Sequence, residues 1–286
     1  MHEFQLHKFS CSCMNRIHMK ALFSFLFNRL MAERQDTEQI LLVFDFDHTV
    51  IDDNVDTSVC KLAPGGDIPD TVRSLYSDDG WIEFMGAVFR HLHQHGVSAE
   101  KIKKHVETLP LSPGMQELFD YIRTIGQYDT IIISDANSVF IKSFLEHQNL
   151  DSLVSQVFTN PAEYNSDGCL MIENYHTQDW CPLSTVNLCK GHILQDYIRC
   201  RSQGGVVYSR VIYIGDGSND LCPGLTLRAQ DYLLPRKGFS LWKKLEKMRV
   251  KQGASGRQVT ASVIGWDSGV EIRTLLENIA AETASH

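Results

Sequence analysis

No run of basic residues offsets the acidic balance of this chain. Lys and Arg number 27 against 35 Asp and Glu, a formal charge of -8, which excludes a nucleic-acid binder working by phosphate neutralisation; a phosphorylated small molecule needs only a local positive site. A membrane-spanning run is missing from the first 36 residues: Ala21 to Phe27 is too short for a bilayer, ends at Asn28 and Arg29, and no A-x-A cleavage pattern follows. The cysteines lack the density of a disulfide framework. Eight of them (11, 13, 60, 169, 181, 189, 200, 222) are dispersed over 286 residues, which points to a reduced setting and a cytoplasmic protein. Zinc-finger spacing is absent as well: Cys181 and Cys189 stand eight apart with no second C-x-x-C and no His pair, so no metal is expected between them.

What the chain does have is 43% hydrophobic residues, enough for one large domain or one domain carrying an insertion, and three apolar runs that each stop at polar residues. Leu41-Leu42-Val43-Phe44 ends at Asp45, Phe46, Asp47, His48 and Thr49. Thr130-Ile131-Ile132-Ile133 ends at Ser134, Asp135, Ala136 and Asn137. Val211-Ile212-Tyr213-Ile214 ends at Gly215-Asp216-Gly217-Ser218-Asn219-Asp220. Continuous apolar runs of this length read as parallel strands covered on both faces, and open α/β sheets bind ligands at the carboxyl ends of such strands. If strand geometry continues past Phe44, Asp45 and Asp47 share a face. Taken alone the D-x-D is a solvated loop and Ser134 is a helix cap. Together the strands gather Asp45, Asp47, Asp216 and Asp220 at one sheet edge, a cluster that calls for a hard divalent cation, with Mg²⁺ favoured where phosphate is handled.

Between the first two strands the three-and-four spacing of Trp81, Met85, Val88, Phe89 and Leu92 predicts a helix closed by Gly96. Ser98 caps a second helix with Ile102, Val106 and Leu109, and Ser112-Pro113 opens a third with Met115, Leu118, Phe119 and Ile122, closed by Gly126. A βαβ crossover needs one helix, so roughly fifty extra residues imply an insertion over the strand ends. The expected parse is an extension over 1–36, a core over 37–53 and 111–280, and a helical cap over 54–110. A hairpin is expected around Asn165-Ser166-Asp167-Gly168, with Val157-Phe158 and Leu170-Met171-Ile172 as its strands. Lys190 begins another helix with Ile193, Leu194, Tyr197 and Ile198; it is either a solvated lysine or a partner for the carboxylates.

The motifs DFDHT (45–49), Ser134, Lys190 and GDGSND (215–220), in that order, resemble those of the haloacid dehalogenase (HAD) superfamily of phosphohydrolases, over residues 39 to about 275. Within it, VFDFDHTVIDDN, EFMGAVF, IIISDANSVFI, FTNPAEYNSDG, NLCK, YIGDGSNDLCP and LPRKGFSL resemble the PHOSPHO-type branch, which holds a pyridoxal-phosphate phosphatase and a phosphoethanolamine/phosphocholine phosphatase. IDDN, ISDANSVF and the FTNPA stretch lean to the first, LSPGM and the long extension to the second. One segment departs from the family: TQDWCPLSTVNLCK has a tryptophan and only Cys181 and Cys189 where relatives are richer in cysteine.

The resemblance implies an α/β fold, a HAD-like Rossmannoid parallel sheet with a helical cap inserted after the first strand. It implies an aspartyl-phosphate on Asp45, Asp47 as proton donor, Ser134 and Lys190 on the phosphoryl oxygens, and Asp220 orienting Lys190. Mg²⁺ is expected on Asp45, the Asp47 backbone carbonyl and Asp216. The substrate is a small phosphorylated metabolite, pyridoxal 5′-phosphate first and phosphoethanolamine or phosphocholine second. Asp56 and Asp135 suit a phosphate poorly and are expected either to meet a cationic or hydrogen-bond-donating part of the substrate or to serve as turn and cap residues. The rival from another class is a catalytically silent HAD-fold binding protein.

Overall fold

The run at 41–44 lies at the heart of the sheet. In the computed structural model, which describes residues 39–77, 79–250 and 258–284, it belongs to strand β1 (Gln39–Phe44). The expected extension over 1–36, with Cys11 and Cys13, lies outside the described residues. β1 is flanked by β2 (Tyr128–Asn137) and β6 (Tyr208–Gly215), and β3 (Gln156–Asn160), β7 (Tyr232–Pro235) and β8 (Ser262–Val263) complete the order β3-β2-β1-β6-β7-β8. Every pairing in this sheet is parallel. Alternation explains why the central strands are apolar throughout: Leu42, Phe44, Ile132, Ile212 and Ile214 join one hydrophobic cluster, and Leu41, Val43, Ile131, Ile133, Val211 and Tyr213 join the other.

Five helices separate β1 from β2: α1 (Val55–Cys60), α2 (Asp70–Arg73), α3 (Trp81–Gln94), α4 (Ala99–Glu107) and α5 (Met115–Ile125). The sequence pattern foretells the last three, including the Ser98 side chain accepting from the Lys101 N–H at 3.2 Å and left-handed Gly126 after α5. α1 and α2 go unseen in it because one or two turns cannot display a helical repeat. After β2 comes α6 (Ser138–His147), whose cap is Asn137, with its Oδ1 accepting from the Phe140 N–H at 3.1 Å. Ser134 is thus not the cap: β2 runs four residues beyond the apolar core of the strand, because Asn137 pairs with Asn160 of β3. The hairpin is real but its first strand is β4 (Ala162–Tyr164), paired with β5 (Leu170–Ile172); Val157 and Phe158 belong to β3 in the main sheet. Later come α7 (Lys190–Gln203), α8 (Leu221–Gly224), α9 (Ser240–Val250) and α10 (Gly269–Ala284), the last packed on α5. No helix among the described residues is long and apolar enough to cross a membrane.

Candidate active site

The chain leaves β1 through a tight turn in which the amides of Thr49, Val50 and Ile51 all point at the Phe46 carbonyl. His48 adopts a left-handed backbone with φ of 52°, uncommon for a residue with a Cβ and held only where the surroundings over-determine it. Arg236 is the restraint. Its guanidinium donates to the His48 carbonyl at 2.6 Å and to Asp52 Oδ1 at 2.6 Å while lying over the rings of Phe239 and Trp266.

This turn fixes Asp45 and Asp47 differently. Asp45 remains tied to the sheet, its N–H donating to the Ile214 carbonyl, and its carboxylate accepts from the Phe46 N–H at 2.6 Å and from Lys190 Nζ at 2.8 Å. Asp47 lies beyond the end of β1, where the alternating-face rule no longer applies. Its Oδ1 accepts from the Val55 N–H at 2.8 Å and its Oδ2 from Asn54 Nδ2 at 3.3 Å, at the entry to α1.

Lys190, 1% exposed at the start of α7, bridges Asp45 and Asp220 at 2.8 and 2.9 Å. It is not a solvated lysine. Burial alone would pull its pKa down, but Asp220 and Asp45 hold it above the usual lysine value. Asp220 is saturated: Oδ1 accepts from Lys190 and from the Tyr213 hydroxyl at 2.7 Å, and Oδ2 from the amides of Asp216 and Gly217 at 3.1 and 2.9 Å. The glycine that permits this is Gly215, since a Cβ there would collide with the Asp220 carboxylate. Gly215 thus admits a close approach from the chain's own carboxylate.

Asp45, Asp216 and Asp220 each present a carboxylate oxygen within 4.8 Å of the others, all buried. With Asp220 saturated, Asp45 and Asp216 are the two with capacity for a cation. Burial first, and then the charge of Asp220, pushes Asp216 up to about 7 and raises Asp45 well above the carboxylate range. Two carboxylates forced towards the neutral form around one lysine make a donor set of hard oxygens short of positive charge, which fits Mg²⁺. Asp47 is raised by burial and then by Asp56. Asp56 is pushed up to about 7 by burial, against the Trp81 indole N–H that donates to its Oδ2 at 3.1 Å. Its Oδ1 is buried without a hydrogen-bond partner. Ser134 is fully buried at the end of β2, its Oγ accepting from the Ala136 N–H at 3.2 Å, and Asp135 accepts from Asn219 Nδ2 at 3.1 Å.

The raised carboxyls set a pH dependence. A carboxyl whose folded pKa lies above its unfolded value gives the native state the extra proton, so stability falls as pH rises between the two values. Metal-free protein is therefore expected to melt at a higher temperature with Asp56 and Asp216 protonated than near pH 8, with the loss centred between pH 4 and 7. Saturating Mg²⁺ is expected to remove the Asp216 part and raise the melting temperature, by about 5–10 °C at a hundredfold excess over Kd, while the Asp56 part persists until Asp56→Asn removes it. Melting curves across pH with chelator or Mg²⁺ test this; a metal-free curve rising with pH over that window would overturn the assignment.

Tyr213, Trp81, Asn54 and Arg236 are the site residues that sequence reasoning passes over. Tyr213 sits inside an apolar run and Trp81 inside a helical stripe, so each reads as core; nothing in the spacing marks Arg236, 188 residues from the carbonyl it holds.

Residues 40–280 match the model of the protein family described as "Putative Phosphatase". The chain is 45% identical over 240 residues to the pyridoxal phosphate phosphatase PHOSPHO2 of Homo sapiens, covering 84% of this chain and 98% of that one. It is 34% identical over 246 residues to the phosphoethanolamine/phosphocholine phosphatase of Homo sapiens, covering 86% and 91%. A substrate-bound phosphoserine phosphatase shares the fold at 13% identity, with a TM-score of 0.52 over 84% of this chain and 99% of its own. The matched residues take in the sheet, the inserted helices, all three polar strand ends and Lys190, and this chain belongs to that phosphatase family.

Proposed function

We propose that this protein is an Mg²⁺-dependent phosphomonoesterase that forms an aspartyl-phosphate on Asp45 and takes pyridoxal 5′-phosphate as its main substrate. The observation that carries the reaction is the buried chain Asp45–Lys190–Asp220, a carboxylate fixed at the end of the central strand with one positive partner. The 45% identity to a pyridoxal phosphate phosphatase supports the substrate.

In this reading Asp45 attacks phosphorus and the bond to the ester oxygen breaks. Asp47, whose pKa is raised by burial and then by Asp56, donates its proton to the leaving oxygen, then takes one from the water that attacks the aspartyl-phosphate. The second displacement restores the Asp45 carboxylate and frees phosphate. Ser134 and Lys190 bind the phosphoryl oxygens, and Asp220, with no free lone pair to offer, positions Lys190. Mg²⁺, held by Asp45, Asp216 and the Asp47 backbone carbonyl, would neutralise the nucleophile so that it can meet an anionic ester.

The inserted segment 54–110 serves in this proposal as the cap that selects the substrate, and Asp56 and Trp81 are its contribution to the site. The unpartnered Oδ1 of Asp56 suits a pyridinium N–H or a protonated amine, which keeps phosphoethanolamine as the second reading, and Asp135 supplies a second carboxylate to the same end. A cytoplasmic, reduced location accords with the six described cysteines being free. The test is kcat/KM for pyridoxal 5′-phosphate, phosphoethanolamine and phosphocholine with Mg²⁺, in wild type and Asp56→Asn. The variant is expected to lose about tenfold or more on pyridoxal 5′-phosphate and phosphoethanolamine, which offer an N–H, and less on phosphocholine, which has none. An equal loss on all three, or none, would remove Asp56 from substrate recognition.

A further inference from the structure

We infer that Cys181, Cys189 and Cys222 form a zinc site, a thiolate clamp joining the segment that carries Lys190 to the turn that carries Asp220. Cys222 Sγ lies 3.4 Å from Cys181 Sγ and 3.7 Å from Cys189 Sγ, and the three sulfurs lie within 4.8 Å of one another. Tetrahedral zinc, with Zn–S bonds of about 2.3 Å, holds its sulfurs about 3.8 Å apart; a disulfide brings them to about 2.05 Å. The cluster has the first spacing, and all three thiols are free. The other buried or half-buried thiols behave differently: Cys60 donates to the Asp56 carbonyl and Cys169 to the Leu170 carbonyl, whereas these three face each other.

The surroundings are built for the cluster. Gly191, the second residue of α7, leaves room for Cys222, since a Cβ there would stand 2.6 Å from its sulfur and 3.2 Å from its backbone. Gln178 is the one buried side chain between Glu173 and Asn187. Its Oε1 accepts from the Cys181 N–H at 2.7 Å and its Nε2 donates to the Thr185 carbonyl at 2.7 Å, while His176 Nε2 accepts from the Cys189 N–H at 2.8 Å. A loop that buries almost no apolar surface gains from a metal what packing does not supply. Cys181-Pro182-Leu183-Ser184 has the spacing of a C-x-x-C knuckle with a hydroxyl in its second place. Ser184 Oγ is buried and faces the Cys181 and Cys222 sulfurs, so it or a water completes four-coordination. Cys222 arrives from another segment, which is why the spacing of Cys181 and Cys189 argued against a metal.

Three thiolates and a tetrahedral demand favour zinc over the hard cation of the carboxylate site, and binding expels the thiol protons. Protein purified under reducing conditions is expected to contain one zinc per chain, and Co²⁺ exchanged into it to show sulfur-to-cobalt charge transfer and tetrahedral d–d bands. Both signals are expected to vanish in Cys222→Ala and to survive in Asp216→Asn, because cobalt on carboxylates gives no thiolate band; this separates the site from the phosphatase centre. Ser184→Cys is expected to tighten zinc by at least about tenfold, a gain that a variant failing to fold cannot mimic. Absence of a thiolate band on Co²⁺ titration of reduced wild type, or a band unchanged in folded Cys222→Ala, would overturn the site. So would a Cys181–Cys222 disulfide found by mass spectrometry in protein purified under reducing conditions.

Discussion

Asp45→Asn is expected to lower kcat by at least about 10⁴-fold with little change in melting temperature. The amide keeps the shape and still accepts from the Phe46 N–H, but it is no nucleophile. Stability changes little because two effects oppose: the variant loses the 2.8 Å pair with Lys190 and is relieved of repulsion from Asp220 and Asp216. The measurement is phosphate release with Mg²⁺, together with a rapid acid quench of labelled substrate, in which wild type traps phosphate on the protein and the variant does not. Turnover within tenfold of wild type would end the aspartyl-phosphate reading, and a folded wild type with no turnover on any phosphomonoester would favour a silent binding protein.

Lys190→Met is expected to cost about 3–5 kcal/mol of stability as well as activity. The methionine fills the slot, yet Asp45 and Asp220 stay buried with their single shared cation gone, and removing one partner of a buried pair is far more damaging than never having built it. In a domain of this size that lowers the melting temperature by about 10 °C. The deficit is expected to shrink on acidification, because the stranded Asp45 carboxyl then takes up a proton and less charge is left unpaired. Denaturant midpoints at pH 5 and pH 8 read this directly; equal deficits at the two values would mean that packing, and not charge, makes Lys190 matter. Arg is not a rescue, as its planar fork does not fit a slot cut for an ammonium with two partners.

The sheet was legible because its central strands are covered on both faces, so Leu41–Phe44, Ile131–Ile133 and Val211–Ile214 stand out as unbroken apolar runs. Their polar ends pointed to the candidate site only in combination: Asp45 and Ser134 each have an ordinary reading alone, but three buried strands ending in such residues do not. What stayed hidden was set by tertiary neighbours. Asp47 looked like the strand-mate of Asp45, but the turn at Phe46 sends it to the α1 entry. Asp56 and Trp81 meet across 25 residues and Cys222 reaches Cys189 across 33, contacts that no local periodicity encodes. Short α1 and α2 were invisible, and the Asn137 cap was obscured by a strand longer than its apolar centre.

The place of β1 between β2 and β6 also governs the order of events in folding. Phe44 pairs on one side with Ile132 and on the other with Ile214, so the strand that leads into Asp45 waits for a partner 170 residues downstream. Asp216, Asp220 and Lys190 reach Asp45 only when that long loop closes, which places completion of the carboxylate site late on the folding route. An ion bound there belongs to the native state and not to the barrier before it. Mg²⁺ bound as proposed is therefore expected to slow unfolding and to leave the rate of folding nearly untouched.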